Sequence, residues 1–279
     1  MTTVTVHTLH LYPIKSCAGW TVEQAVLGAA GLEAYGVADR QYLVVDAEGR
    51  FVTQRDTPQL ARVRPRPDPL RVEFDGLAPL VLPAAGAAGD ELEVQVWRDR
   101  VRAVDCGEEV ARWFSIACGR PVRLVRHDRV SKRRADPGWT GRDDVPTRFP
   151  DGYPYLLIGR ETLADFDLRW QRAGHPPLNP ARFRPNLVLD GLDAYAEDQL
   201  ALLDGATIAL RPVRPWPRCA LPAVDPDTGA VGASPTELLA GYRMDQRTGG
   251  ATLGQNAIVE RGAGGLITAG SAFAPHWNF

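Results

Sequence analysis

The chain has 279 residues, 24% of them Asp, Glu, Lys or Arg, and a formal net charge of −2. That near-neutral balance argues against nonspecific nucleic-acid binding as the main activity, and no apolar run approaches the roughly 20 residues of a bilayer span. The four cysteines, Cys17, Cys106, Cys118 and Cys219, are far apart and form no C-x-x-C pair, which disfavours structural zinc and small iron–sulfur sites.

The N-terminus, Met1-Thr2-Thr3-Val4-Thr5-Val6, lacks the charged and apolar regions of a signal peptide, so a cytoplasmic protein with reduced thiols is expected. Its alternation predicts a strand over Val4–Leu11. Further short strands are predicted at residues 22–27, 41–45, 51–53 and 70–74, punctuated by Gly, Pro and Asp as in antiparallel β structure. Asp46-Ala47-Glu48-Gly49 reads as a hairpin turn. A helix over Glu108–Cys118 follows from Val110, Phe114 and Cys118 at helical spacing, with Gly119 as its cap. Residues 130–152 are polar, basic and rich in Pro and Gly, and read as a long surface loop joining two β-rich portions. A second helix is expected at 162–172, with Leu163, Phe166 and Trp170 on one stripe and Gly174 closing it. Ser234-Pro235-Thr236-Glu237 carries an N-cap, a first-turn proline and a capping-box glutamate, so a third helix starts there. Strands at 186–189, 207–211, 257–260 and 266–269 complete a mainly β, α+β chain, divided into residues 1–125 and 126–279.

The most informative chemistry surrounds Cys219. Arg211, Arg214 and Arg218 precede it within eight residues, and Pro212, Pro215 and Pro217 stiffen that approach. Cations favour the thiolate, the form of cysteine that reacts and binds metals. The segment therefore reads as a mount for a soft sulfur ligand to a metal cofactor, with a buried structural thiol as the alternative. Lys15, in Tyr12-Pro13-Ile14-Lys15-Ser16, is one of two lysines, the other being Lys132. Either a compact ammonium, rather than a planar fork, is needed at that point or Lys15 is an ordinary surface lysine. Asp225-Pro226-Asp227-Thr228-Gly229 lacks the spaced ligands of a calcium loop and reads as a tight turn, with Asp225 also a candidate for a place near the metal. The basic run Arg120, Arg123, Arg126, Arg129, Lys132, Arg133 and Arg134 is either a solvated face or a dock for an acidic electron-transfer partner.

Taken in order, Tyr12-Pro13-Ile14-Lys15-Ser16-Cys17, Gly31-Leu32 with Asp39-Arg40, Thr53-Gln54-Arg55, Arg182-Phe183-Arg184-Pro185-Asn186, Arg218-Cys219 with Val224-Asp225-Pro226-Asp227-Thr228-Gly229, and Gly254-Gln255-Asn256 resemble the motifs of the MOSC superfamily. The likeness is to its two-part branch, which includes amidoxime-reducing components, and it covers nearly the whole chain. It implies a MOSC-type β-barrel with an associated β-rich N-terminal domain. It also implies a molybdenum–molybdopterin cofactor, with Cys219 as the metal ligand and a catalytic residue beside Asp225. Lys15, Ser16, Arg40, Arg184 and Asn186 match cofactor-binding positions, where cations, a hydroxyl and an amide suit a phosphate and a pterin edge. The implied activity is reduction of N-hydroxylated compounds to amines, with electrons from a separate reductase or electron carrier, no nucleic acid and no membrane. Flavin and haem are not expected.

Three departures from the pattern are informative. Pro222 and Ala223 stand where relatives commonly carry two threonines, and Ser271 where an aspartate is common. With no ferredoxin domain or membrane anchor expected, electrons have to arrive from a second protein. The alternatives are a cofactor carrier or persulfide sulfur relay at Cys219, and a non-catalytic ligand-binding module that kept the fold.

Overall fold

Along the first strand, Val4 and Val6 are buried, and so are Leu9 and Leu11. Strict alternation would put the second pair on the opposite face. The register against residues 187–190 slips between Val6 and Thr8, and this bulge returns the later leucines to the interior. A computed structural model describes residues 3–84, 86–128 and 130–278. In it the first strand is one stave of a barrel whose other six come from the second half of the chain.

The barrel strands are β1 (Val4–Leu11), β2 (Tyr155–Gly159), β3 (Leu187–Asp190), β4 (Leu200–Asp204), β5 (Ala209–Pro217), β6 (Gly250–Arg261) and β7 (Ala272–Trp277). Their order is β2-β3-β1-β7-β4-β5-β6, and β6 returns to β2 through Tyr155↔Ala257 and Leu157↔Gln255. Within this ring only β2 and β3 run parallel. The three prolines of β5 lack a ladder donor, and the β5–β6 register shifts at Pro212/Arg214 and again at Pro215/Pro217. Those shifts re-aim the strand end that leads into Cys219.

A four-stranded antiparallel sheet from Glu91–Val96, Asp99–Asp105, Arg123–His127 and Tyr42–Val45 stands beside the barrel. Helix α1 (Glu108–Cys118) packs on it with Val110, Phe114 and Cys118 buried, and Gly119 caps it at φ +67°. A smaller sheet joins Leu266–Thr268 to Gln24–Gly28, so the two halves of the chain exchange strands here as well. One continuous core runs through both, from Leu9 and Val44 to Phe114, Leu189 and Phe273. The chain is mainly β, as the sequence led us to expect, with four α-helices among the described residues where three were expected.

Several local expectations change. Residues 22–27 split into Trp20–Val22 and Gln24–Gly28, and residues 51–53 form only the bridge Val45↔Phe51. The hairpin of residues 91–105 and the strand β2 were not anticipated. Residues 130–152 are not a solvated loop: they hold the short helix α2 (Pro137–Thr140) and bury Ala135, Val145, Thr147 and Phe149. The physical reason is Arg133. It pairs with Asp99 at 2.8 Å and donates to the carbonyls of Arg148, Pro150 and Asp151, satisfying backbone that would otherwise need water. The basic run is thus no uniform face. Arg123 pairs with Asp105 and Glu108, Arg126 donates to the Ala87 carbonyl, and Arg129 lies outside the described residues.

Helix α3 (Arg160–Arg172) buries Phe166 and Trp170, and Gly174 follows at φ +90°. Helix α4 (Pro235–Ala240) starts where expected, but the Ser234 side chain makes no cap bond. Thr236 instead donates its hydroxyl to the Cys219 carbonyl at 2.7 Å, so this helix anchors the cysteine.

Candidate functional site

The barrel and the four-stranded sheet meet at a cavity with about 770 Å³ of empty space, counting its open mouth. Lys15, Ser16, Arg40, Arg184, Asn186 and Cys219 all line it, brought together from positions more than 200 residues apart. Asp225 does not line it. Its Oδ1 accepts from the amides of Asp227 and Thr228 and from the Thr228 hydroxyl, while Oδ2 takes Arg182 at 2.7 Å. Asp225 therefore builds the turn, and Arg182 links that turn to the Pro222 carbonyl at 2.9 Å.

On the N-terminal wall, Lys15 is buried and pairs with Asp151 at 2.5 Å. Burial pulls the Lys15 ammonium below the ordinary lysine range, and Asp151 opposes that. Burial likewise pushes the Asp151 carboxyl up, but Lys15, the Trp97 indole N–H at 3.0 Å and Arg40 together hold it well below the usual carboxylate range. Asp151 is ionised at neutral pH. Asn186 ties three barrel strands at one point: Oδ1 accepts from the Leu156 amide at 3.1 Å, and Nδ2 donates to the His10 carbonyl at 3.2 Å. The same Oδ1 accepts from Arg40 at 3.2 Å, so Asn186 orients that guanidinium as well as facing the cavity.

Four wall residues adopt left-handed backbone: Ser16 at φ +67°, Arg40 at +47°, Trp97 at +57° and Arg184 at +56°. Such conformations are uncommon for side-chain-bearing residues and persist where the surroundings over-determine them. Gln54 fixes the first by donating to the Ser16 carbonyl at 2.7 Å, and Arg40 donates to the Arg184 carbonyl at 3.3 Å.

On the C-terminal wall, Trp216 and Arg218 project to the cavity from the end of β5 and just beyond it. Only Arg218 of the three arginines before Cys219 does so. Arg211 pairs with Glu260 at 2.8 Å and donates to the Thr140 carbonyl, and Arg214 lies over Trp139. The bulged, proline-interrupted strand separates them, which sequence proximity did not reveal. Burial lowers both Arg184 and Arg218 to about 10, assisted at Arg184 by the like charge of Arg40. Both remain cationic at neutral pH. Arg184 Nη2 and Arg218 Nε and Nη1 are shielded from solvent and have no hydrogen-bond partner among the described residues.

Cys219 is exposed, whereas Cys17, Cys106 and Cys118 are buried. Burial pushes the Cys106 and Cys118 thiols up to about 12 and Cys17 higher still. Sequence reasoning passed over Asp151, Trp97 and Arg55 as wall residues. Arg55 lay within a quoted motif, and Trp97 sits at a hairpin tip, but nothing in the sequence points Asp151 at Lys15.

Residues 3–121 match the MOSC N-terminal beta barrel domain and residues 144–273 match the MOSC domain. Mitochondrial amidoxime reducing component 2 of Bos taurus is 33% identical over 249 residues, covering 86% of this chain and 72% of the relative. This chain belongs to the MOSC family.

Mitochondrial amidoxime-reducing component 1 of Homo sapiens is likewise 33% identical, over 253 residues, with the same coverage of both chains. Molybdenum cofactor sulfurase of Bos taurus is 27% identical over 240 residues, covering 79% of this chain and 27% of that longer protein. In this MOSC protein the donor set fits an anionic cofactor that brings its own metal ligands. The unpartnered guanidinium atoms offer fixed donors to a phosphate, and Cys219 offers a single accessible sulfur. Among the described residues no group of three or more His, Cys, Asp or Glu side chains is placed to hold a metal by itself, and no helix is long and apolar enough to cross a membrane.

Proposed function

We propose that this MOSC protein is a molybdenum cofactor-dependent oxidoreductase that reduces N-hydroxylated compounds to amines. The observation that carries the reading is the meeting, in one cavity, of unpartnered Arg184 and Arg218 donors with the exposed thiol of Cys219. The relatives named as amidoxime-reducing components support the reaction class. When bound, a molybdenum–molybdopterin cofactor supplies the two-electron redox chemistry.

The chain's own residues do the rest. Arg184, Arg218, Lys15 and Arg40 offer positive charge to the cofactor's phosphate and pterin, with Ser16 and Asn186 beside them, and Cys219 offers its thiolate to the metal. Lys15 and Asp151 keep a fixed ion pair in the wall, so charge is already oriented before substrate arrives. Asp225 acts through Arg182, which it holds while Arg182 donates to the Pro222 carbonyl. Electrons come from a separate reductase or carrier.

Protein made in cofactor-competent cells is assayed for molybdenum and released pterin, beside Cys219→Ser. Stoichiometric pterin with molybdenum lost only in the variant, and turnover of an amidoxime with a chemical reductant, is the expected result. Neither metal nor pterin in the wild type, with a control molybdoenzyme loaded in the same cells, refutes the reading. A second reading, a cofactor carrier or persulfide relay, is favoured by the exposure of Cys219. Bound cofactor without turnover selects it.

A further inference from the structure

Two of the wall arginines converge on one aromatic ring. Arg40 Cζ lies 4.5 Å and Arg184 Cζ 4.2 Å from the centroid of Tyr12, a ring that is itself buried. The pair needs something to hold it. Arg40 has Asp39 as a carboxylate partner, but among the described residues Arg184 makes no ion pair, and its guanidinium donates to the Cys17 carbonyl at 2.6 Å. Hydrogen bonds fix the donor edge of a guanidinium, and stacking on an aromatic face fixes its plane. The backbone of Tyr12 is equally committed. Its N–H donates to Asp39 at 2.8 Å and its carbonyl accepts from the Arg40 amide at 2.7 Å.

The space for the ring is kept by a glycine. A Cβ on Gly19 would stand 2.5 Å from both Cδ1 and Cε1 of Tyr12, closer than real Cβ contacts come, although Gly19 itself is exposed. The Gly19 backbone has no positive φ that would require glycine. What its missing side chain provides is room, chiefly for Tyr12, with the Leu11 carbonyl the next nearest group at 3.0 Å.

We propose that Tyr12 is a positioning residue of the cavity, its ring setting the planes of the Arg40 and Arg184 guanidiniums for an anionic phosphate group, and that Gly19 is glycine to let the ring lie there. This rests on the anion-binding reading of the cavity. The phenol hydroxyl has no part in it, so the aromatic face alone matters.

The test uses the full chain, prepared without cofactor, and titrates inorganic phosphate by calorimetry. Tyr12→Phe is expected to bind within about twofold of wild type, while Tyr12→Leu and Gly19→Ala each weaken binding by about tenfold. In the double variant Tyr12→Leu/Gly19→Ala the losses do not add, because both act through one ring. Retained pterin in protein from cofactor-competent cells follows the same order. Equal phosphate affinity in wild type, Tyr12→Leu and Gly19→Ala overturns the proposal and leaves the anion site standing. Additive losses, or loss in Tyr12→Phe equal to that in Tyr12→Leu, also overturn it. No phosphate binding by wild type overturns the anion reading and this proposal with it. If Tyr12→Leu does not fold, the exposed Gly19→Ala decides alone.

Discussion

Cys17 and Cys219 stand at opposite extremes of one molecule. Cys17 is fully enclosed, and its thiol is carried far above the ordinary value by desolvation, even though the Arg184 guanidinium lies on its carbonyl. Cys219 lies at an open cavity mouth beside Arg218, with its carbonyl pinned by Thr236. A nearby cation does not make a reactive thiol where burial dominates. What separates the two is access to water.

Replacing Cys219 by serine is the largest expected break in that contrast. Cofactor-bound molybdenum and amidoxime turnover should fall by more than about a hundredfold while the thermal midpoint moves little, measured by metal analysis and scanning calorimetry. An equally large loss in Cys17→Ser, with its fold intact, would reverse the assignment of the two thiols.

Buried groups carry a pH cost that exposed ones do not. His10 and His127 are lowered from 6.5 to about 4, chiefly by burial, aided by His7 in the first case and by Arg148 and Arg133 in the second. Their folded values lie below the unfolded one, so the unfolded chain takes up protons first as pH falls. Their contribution is complete above pH 6.5 and is lost between there and pH 4, at up to about 3 kcal/mol each. Urea unfolding at pH 7 and 4.5 should show the loss, and His127→Gln should flatten it.

Cys17→Ser places a hydroxyl in an apolar interior and should cost about 2 kcal/mol in urea unfolding, with molybdenum retained. A thiol reagent under native conditions should label Cys219 and leave the three buried cysteines until denaturant is added, which mass spectrometry reads directly. The smallest effect is expected from Asp225→Asn. It weakens the pairing with Arg182 and should cost about 1 kcal/mol of stability while leaving phosphate affinity within about twofold.

The site was legible in the sequence to the extent that chemistry stays local. Lys15, Ser16, Arg40, Arg184, Asn186 and Cys219 stood in motifs singled out by their resemblance to the family's, with Cys219 also marked by its neighbouring arginines, and all six line the cavity. Asp225 and the arginine series before Cys219 show the limit. Proximity along the chain put Asp225, Arg211 and Arg214 near the thiol, yet bulges in β5 and the turn's own hydrogen bonds direct them elsewhere.

By itself the sequence determined the first strand, helices α1, α3 and α4, the turn at Asp46–Gly49 and the predominance of β structure. Periodicity, caps and turn residues act over a few positions and need no partner. Only the tertiary structure decided that β1 closes a barrel made by the second half of the chain, that residues 130–152 fold around Arg133, and that Asp151 faces Lys15. Those outcomes depend on strand pairing and on charge finding its partner beyond the local chain, 136 residues away for Lys15 and Asp151 and 15 to 34 residues away for Arg133 and its acceptors. No local propensity encodes such contacts, because the free energy that selects them appears only when the distant segments bury each other.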